Sequence, residues 1–246
     1  MIATEQAAKE RDRVMKEIYT NKQNKEETTN LLIRKMFEKQ DELNVHTNGS
    51  DWKQNKNLKW YRAIWTEAAE LIDYTNWKWW RKQDVSIKDI EMELIDIWHF
   101  AMSDLLVRYT PTQYVTGTFL AFKSHFREPI KTDMNIIQEA TEKLAYMTLR
   151  DEKFHLESFI DLCSSLNMDI EKIYKLYMGK NILNKFRQDH GYKTKTYIKD
   201  WNGQEDNIYL MKTLDNIKEI DDNFEKIVYD KLTQKYKTIS KGVIIL

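Results

Sequence analysis

The sequence predicts an all-α fold, a bundle of helices, and two observations support this prediction. The 246 residues include only two prolines and six glycines, whereas sheets joined by tight turns usually need more of these residues. Apolar residues recur at helical spacing along most of the chain. The length suits one large domain, or a core with a smaller cap. We therefore expect a rigid helical core and a mobile helical cap or insert.

The helices are predicted from apolar residues that return every three or four positions. They cover residues 30–43, 60–74, 86–108, 135–149, 153–166, 169–186 and 222–235. Ser86 is the expected N-cap of the third, with Asp89 three residues on. The stretch Ile90–Leu106 is apolar almost all round, which is typical of a helix at the centre of a bundle. Three connections are expected at 46–59, at 110–133, which holds both prolines, and at 191–207.

Four regions follow from this pattern. Residues 1–28 are a polar extension, expected to be a solvated or frayed helix. Residues 29–108 form the core, 109–165 a helical insert or cap, and 166–246 the C-terminal helices. We expect residues 29–246 to act as one unit.

Charge and cysteine content exclude several classes of protein. Lys plus Arg and Asp plus Glu both number 39, whereas a general nucleic-acid binder is normally more basic. The single cysteine, Cys163, allows no internal disulfide, which agrees with a reducing compartment. No stretch reaches the roughly 18 apolar residues that a membrane span needs, and the N-terminal residues lack the apolar core of a secretion signal. We expect a cytoplasmic protein that binds neither nucleic acid nor membrane.

Two pairs of acidic residues stand on predicted helices, each pair three residues apart. They are Glu67 with Glu70, and Glu93 with Asp96. Side chains at i and i+3 share a helix face, so two neighbouring antiparallel helices can bring all four together. An acidic residue on a helix is usually a solvated surface residue. Here the neighbours are apolar, so the sequence predicts that the four acids face the core.

Carboxylates that face a core repel each other and lose their hydration. A bound divalent cation offsets both costs. Oxygen ligands without cysteine favour Mg²⁺ or Mn²⁺ over Zn²⁺, and such ions commonly bind substrate phosphates. The sequence therefore predicts a metal-binding core with phosphate chemistry. His99, three residues after Asp96, is either a buried core histidine or a residue that orients Asp96 without binding the metal itself.

Several stretches of the chain, in order, match the motifs of one family. They are Gln40-Asp-Glu-Leu-Asn44, Glu67-Ala-Ala-Glu70, Trp77-Lys-Trp-Trp80, Glu93-Leu-Ile-Asp96-Ile-Trp-His99, and the closing stretches 177–193 and 201–207. On these residues the chain resembles the dimeric dUTPases of bacteria and protozoa, in the all-α nucleoside triphosphate pyrophosphatase superfamily. The N-terminal extension and residues 109–165 depart from the family pattern.

The resemblance implies an enzyme that hydrolyses dUTP to dUMP and pyrophosphate, which keeps uracil out of DNA, and that also accepts dUDP. Glu67, Glu70, Glu93 and Asp96 are then the ligands of two or three Mg²⁺ ions, with Mn²⁺ as a substitute. A metal-bound water is expected to attack the β-phosphorus, oriented by Glu67, with Glu70 also in a catalytic role. The resemblance also implies a homodimer.

The phosphate groups of such a substrate need cations. Lys180, Asn184 and Arg187 are spaced i, i+4 and i+7, so they share one helical face, and arginine can bind phosphate oxygens through two N–H groups at once. Tyr192 and Lys199 match further phosphate-contacting positions of the family. Without the motif match, Lys180 and Arg187 would be read as an ordinary solvated basic face.

The uracil base needs hydrogen bonds. Gln40 and Asn44 stand four residues apart on a helix, so both amides can face one pocket, and each offers a donor and an acceptor. Trp77 and Trp80 offer flat apolar surfaces for the base or sugar, and Trp80 matches the pocket tryptophan of the family. The alternative for both tryptophans is a place in the core.

Three other functions stay open at this stage. A related enzyme would act on dCTP or another nucleotide with the same metals. A ferritin-like di-metal bundle would need a second Glu-x-x-His repeat, which is missing near Glu67 and Glu70. A non-catalytic helical interaction module would leave four acids among apolar neighbours unexplained.

Overall fold

The computed structural model describes residues 2–125 and 129–243, and within them it contains nine α-helices and no strand. The helices are α1 (Ile2–Asn48), α2 (Trp60–Asp73), α3 (Ile87–Arg108), α4 (Pro111–His125), α5 (Met134–Asp151), α6 (Leu156–Ser165), α7 (Ile170–Asp189), α8 (Asp206–Asp215) and α9 (Phe224–Val243). The prediction of an all-α fold is confirmed. Among the described helices, none is both long enough and apolar enough to cross a bilayer.

Side-chain caps fix where several helices begin. The Ser86 hydroxyl accepts a hydrogen bond from the backbone N–H of Asp89 at 3.3 Å, as predicted for the start of α3. Asp169 caps α7 by accepting from the backbone N–H of Lys172 at 2.8 Å. Both caps occupy N–H groups that have no partner within their own helix.

The structure corrects two of the predicted connections. Residues 110–133 do not simply connect, because α4 occupies Pro111–His125. Pro111 is the first residue of that helix, where a missing N–H costs nothing and the fixed φ angle is helical. The expected loop 191–207 ends earlier than predicted, because α8 begins at Asp206. In addition, α1 runs without a break through the predicted extension to Asn48.

Helix α3 lies at the centre of the bundle, in contact with α1, α2, α4 and α7. Its residues Ile90, Leu94, Ile97 and Trp98 are fully buried, in agreement with the apolar pattern of the sequence. A polar side chain on this helix is therefore held inside the protein, where it must find a partner. Most of the acidic residues on α3 are therefore shielded from water.

Candidate active site

Three carboxylates meet between α2 and α3. Glu67 comes from α2, and Glu93 and Asp96 come from successive turns of α3; one oxygen from each lies within 4.8 Å of the others. Glu67 and Glu93 are hydrogen-bonded to each other, and only 8% of Glu93 is exposed. We call these three residues the acid cluster. The extensive contact between α2 and α3 holds it together.

The acid cluster perturbs the titration of its members strongly. Burial, together with the charges of Asp96 and Glu70, raises the pKa of Glu67 to about 7. Burial and the charge of Asp96 raise the pKa of Glu93 to about 9, although the nearby Lys180 ammonium acts in the opposite direction. Both carboxyls resist losing their protons near neutral pH because a second negative charge would be poorly solvated there. Such a cluster is well suited to a cation.

Glu70 lies outside the acid cluster. Its side chain is exposed on α2, and it is not among the three residues whose oxygens converge. Its charge still acts on Glu67, whose pKa it helps to raise. The prediction that all four acids face the core is therefore wrong for Glu70, which lies beside the acid cluster and not in it.

Helix α7 adds a buried lysine beside the acids. The Lys180 ammonium is 2.7 Å from a carboxylate oxygen of Asp96 and donates to the Asn207 side-chain oxygen at 2.9 Å. Only 2% of Lys180 is exposed, so it is not part of a solvated basic face. It partly neutralises the acid cluster.

Arg187, two turns further along α7, is held by an aspartate from α8. Its Nε and Nη2 atoms donate to the two carboxylate oxygens of Asp206 at 2.9 and 2.7 Å, and Asp206 is completely buried. Asn184 accepts from Nη1 at 3.3 Å. The Tyr197 hydroxyl also donates to Asp206, at 2.7 Å. The pair of N–H groups expected to bind phosphate is thus occupied by Asp206.

Asp206, Asn207 and Tyr197 were not predicted as site residues. All three lie within residues 191–207, which were predicted to form a loop, and none carries a periodic signal of its own. The one available signal was the match of residues 201–207 to a closing motif, which contains Asp206 and Asn207. The role of Asp206 and Asn207 is visible only through contacts with Arg187 and Lys180, 19 to 27 positions away in the chain, and that of Tyr197 through its contact with Asp206.

Two further predicted phosphate residues lie at the periphery. Tyr192 is 45% exposed, and the guanidinium of Arg187 lies 5.8 Å from the centre of its ring. Lys199 is exposed and paired with Glu205 at 3.0 Å. Both side chains stand close to Arg187 or Asp206 in the chain, but neither contacts the acid cluster.

The two amides predicted to read a base lie in a buried polar network. Gln40 donates from Nε2 to Asn44 Oδ1 at 3.3 Å and to Ser103 Oγ at 3.0 Å. Asn44 donates from Nδ2 to the same hydroxyl at 2.9 Å. The Tyr177 hydroxyl donates to Gln40 Oε1 at 3.2 Å. These contacts fix the orientation of both amides.

His99 belongs to this network rather than to the acid cluster. Its Nδ1 lies 2.7 Å from Gln40 Oε1, and its Nε2 is buried without a hydrogen-bond partner. Of the two alternatives for His99, the structure agrees with a buried core histidine, since its ring contacts Gln40. Burial, reinforced by the charge of Lys180, lowers the pKa of His99 well below its usual value, so the ring is neutral.

The tryptophans of the α2–α3 connection are exposed, so the alternative of a core position does not hold. Trp77 and Trp80 are 41% and 57% exposed, and Trp79 is 89% exposed. Trp80 meets both of the others edge to face, at centroid distances of 5.2 and 5.4 Å. An exposed aromatic group of this size is available to cover a ligand.

A separate cavity of about 810 Å³ lies between α1, α4, α5 and α6. Its walls are mainly apolar, with Phe119, Phe122 and Ile136 among them. None of the predicted site residues lines it. The cavity is therefore distinct from the place where acids and cations converge.

The helical fold, the buried acid cluster and the adjoining buried cations define a class, the all-α hydrolases that act on phosphate compounds. Comparison with known proteins identifies the family. The family model described as dUTPase matches residues 32–192, more than half of the chain. The chain therefore belongs to the dUTPase family, and it is a dUTP diphosphatase. No curated protein matches it.

Proposed function

We propose that the acid cluster is the metal-dependent centre at which this dUTPase converts dUTP to dUMP and pyrophosphate. The observation that carries the proposal is the meeting of the three carboxylates of the acid cluster with the buried Lys180, which shares Asn207 as a partner with Arg187. A negatively charged triphosphate cannot approach bare carboxylates, so a bound divalent cation is needed to join the two. The buried lysine and arginine then complement the phosphate charge.

The donor set fits a hard divalent cation. Glu67, Glu93 and Asp96 offer only carboxylate oxygens, which Mg²⁺ and Mn²⁺ prefer. The raised pKa values of the two glutamates indicate excess negative charge in a poorly solvated place. We propose two or three Mg²⁺ ions here, with Glu70 as an additional, more exposed ligand. Bound Mg²⁺ would supply charge neutralisation and a more acidic water.

The side chains of the protein hold and orient the reactants in this proposal. Glu67 orients a water toward the β-phosphorus, and Lys180 and Arg187 bind phosphate oxygens. Asn184, Tyr192 and Lys199 complete the phosphate contacts. Positioning of this kind supplies a large share of the catalytic effect in phosphoryl transfer.

Asn44 is the better placed of the two amides for reading uracil. Both Nε2 hydrogens of Gln40 are used within the network, whereas the described contacts of Asn44 leave one N–H and one oxygen lone pair. A donor and an acceptor side by side suit the uracil edge and leave cytosine with unpaired groups. The exposed Trp77 and Trp80 would cover the base or sugar.

A nucleotide panel tests the proposed specificity. With Mg²⁺, purified protein should release pyrophosphate from dUTP, and do little with dTTP or dCTP. Equal rates on all three would refute the uracil assignment, and a preference for dCTP would favour the related nucleotide pyrophosphatase. Activity on dUDP belongs in the same panel. A visible iron-oxo spectrum would instead favour the di-metal bundle.

Asn44→Ala should reduce the preference for dUTP over dCTP by about tenfold or more, since a buried polar group left unpaired costs about 1–3 kcal/mol. Asn48→Ala, one turn later on α1, is the matched control and should keep the preference. The measurement is the ratio of kcat/KM for the two nucleotides. An unchanged ratio in Asn44→Ala would remove this residue from base recognition.

We further propose a cytoplasmic homodimer with a mobile cap formed by residues 109–165. Light scattering coupled to size-exclusion chromatography should give a mass of about twice 29.7 kDa. A mass of one chain at micromolar concentration would contradict the dimer. Hydrogen exchange should be faster in 109–165 than in α2 and α3, and uniform protection would contradict a mobile cap.

A further inference from the structure

Asp206 is a buried aspartate whose side chain contacts Arg187, one of the two cations proposed to bind phosphate. It is fully buried at the first position of α8, and it accepts two hydrogen bonds from Arg187 and one from Tyr197. We propose that Asp206 is a positioning residue, which fixes the guanidinium of Arg187 for the outer phosphates of the substrate. The inference rests on the proposed function and adds a residue to it.

The number of donors on Arg187 explains how this works. A guanidinium has five N–H donors in a rigid plane. Two bind Asp206, one binds Asn184 and one binds Asn207. Within the described chain this leaves one N–H on Nη1 for a phosphate oxygen. The contacts to Asn184 and Asn207 are long, at 3.3 and 3.2 Å, so a phosphate oxygen can displace them.

The carboxylate of Asp206 therefore holds the Nε side of the guanidinium and turns the Nη1 side toward the substrate. Without it, the long arginine side chain would sample several rotamers, and binding would carry the cost of ordering it. A charged partner also keeps the buried guanidinium from being an unpaired ion. The hydrogen bonds and charge of Arg187 keep the pKa of Asp206 below its usual value, despite the opposing effect of burial.

A chain of contacts ties this pair to the acid cluster. Asn207, the residue after Asp206, accepts from both Arg187 and Lys180, and Lys180 is paired with Asp96. The start of α8 thus places both phosphate-binding cations relative to the acids. A shift of this helix would move Lys180 and Arg187 together.

The test uses Asp206→Asn, which keeps the size of the side chain and removes its charge. We expect kcat/KM for dUTP to fall about 100-fold, the size of effect that a misplaced group causes. In calorimetric titrations, binding of inorganic pyrophosphate should weaken, whereas binding of deoxyuridine, which has no phosphate, should stay as in the native enzyme. Weakening of both probes alike would mean general structural damage and would overturn the proposal.

Two further variants sharpen the result. Asp206→Asn should cause no additional loss in an Arg187→Lys background, because the residue to be positioned is already gone; additive losses would overturn the proposal. Asp104→Asn is the matched control, since Asp104 is a buried aspartate paired with Arg108 through two contacts of 2.8 Å. It should leave kcat/KM for dUTP close to that of the native enzyme.

If Asp206→Asn fails to fold, Tyr197→Phe is the variant to measure. That variant removes one hydrogen bond to Asp206 and should lower kcat/KM for dUTP about 3–10-fold, as expected for one hydrogen bond, with deoxyuridine binding unchanged. An unaltered kcat/KM would overturn the proposal. If the native enzyme itself bound deoxyuridine and pyrophosphate but did not hydrolyse dUTP, the proposed function would fail independently of Asp206.

Discussion

Glu93 combines two properties that rarely occur together in a side chain, deep burial and a direct carboxylate neighbour. Burial removes the water that would solvate its charge, and Asp96 adds repulsion, so its pKa rises to about 9. A structural ion pair would lower this pKa instead. A perturbed group of this kind, in a cluster of acids, is characteristic of a functional site.

Replacement of Glu93 by Gln tests whether the acid cluster performs the reaction. Glu93→Gln should reduce pyrophosphate release from dUTP by more than about 100-fold, because loss of a mere outer partner of a metal ligand already costs about 10–100-fold. Helical circular dichroism should persist. The measurement is the initial rate at saturating Mg²⁺.

Glu91 provides a control on the same helix. It is also a buried glutamate, but it pairs with Lys172 and not with the acid cluster. Glu91→Gln should therefore retain most of the activity. If the two variants lost activity equally, the loss would reflect damage to α3 and not the removal of a ligand.

The raised pKa values also predict how stability depends on pH without metal. A carboxyl whose pKa rises on folding stabilises the fold fully below its unfolded value, here 4.5, and that contribution is lost as the pH rises through the folded value. Glu67 and Glu93, with folded values of about 7 and 9, should therefore lower the Tm progressively between pH 5 and pH 9 in EDTA.

Mg²⁺ should counter this loss, because it replaces the protons between the carboxylates and binds only the folded protein. Thermal unfolding of the native chain and of Glu93→Gln, with and without Mg²⁺, measures the effect. The variant should show a flatter dependence on pH in EDTA. A Tm of the native chain that rises from pH 5 to pH 9 would contradict the assigned pKa shifts.

At the scale of the helices, the close approach of α7 and α8 sets the geometry of the cationic side of the site. Gly179 on α7 precedes Lys180, and a Cβ added there would lie 2.6 Å from a methyl group of Leu214 on α8. Leu214 is buried and cannot move freely. The glycine therefore permits α8 to pack close enough to place Asp206 against Arg187.

Two glycine substitutions should have opposite effects on stability. Gly179→Ala overpacks the α7–α8 contact, which outweighs the gain in helix propensity, so the free energy of unfolding should fall by about 1 kcal/mol. Gly117→Ala, in α4 with open space around the added Cβ, should raise it by about 0.5–1 kcal/mol. Urea unfolding measures both, and a stabilising Gly179→Ala would contradict the close packing.

Elements with a periodic apolar face were predictable from the sequence, and those defined by tertiary contact were not. The cap at Ser86 and the apolar stripe of α3 are local signals, and they were interpreted correctly. The prediction of a connection at 110–133 was wrong because a proline occurs in the first turn of a helix as well as in connections. Helix α8 was not predicted at all, because its start is fixed by the contact of Asp206 with Arg187, which is distant in the chain.

The same distinction applies to the candidate site. The spacing of Glu93 and Asp96 predicted a shared face, and the structure places both beside Glu67. Spacing alone could not distinguish Glu67 from Glu70, because the rotation of α2 against α3 decides which of them faces inward. The partner of His99 was equally unpredictable, since Gln40 reaches it from a different helix.

At the scale of the whole molecule, the net charge is zero, but acidic and basic side chains are grouped separately at the candidate site. Lys plus Arg and Asp plus Glu both number 39, yet buried acids and buried cations face each other across α3 and α7. The long-range field is therefore weak, and recognition of a triphosphate must depend on this local pairing. We expect a bound divalent cation to complete this pairing.

Phosphorus NMR of dUTP incubated with the purified protein tests whether the hydrolysis depends on a divalent cation. With Mg²⁺, we expect signals of dUMP and pyrophosphate in equal amounts, and with excess EDTA we expect unchanged dUTP. The appearance of dUDP and inorganic phosphate, or an equal rate in EDTA, would contradict it.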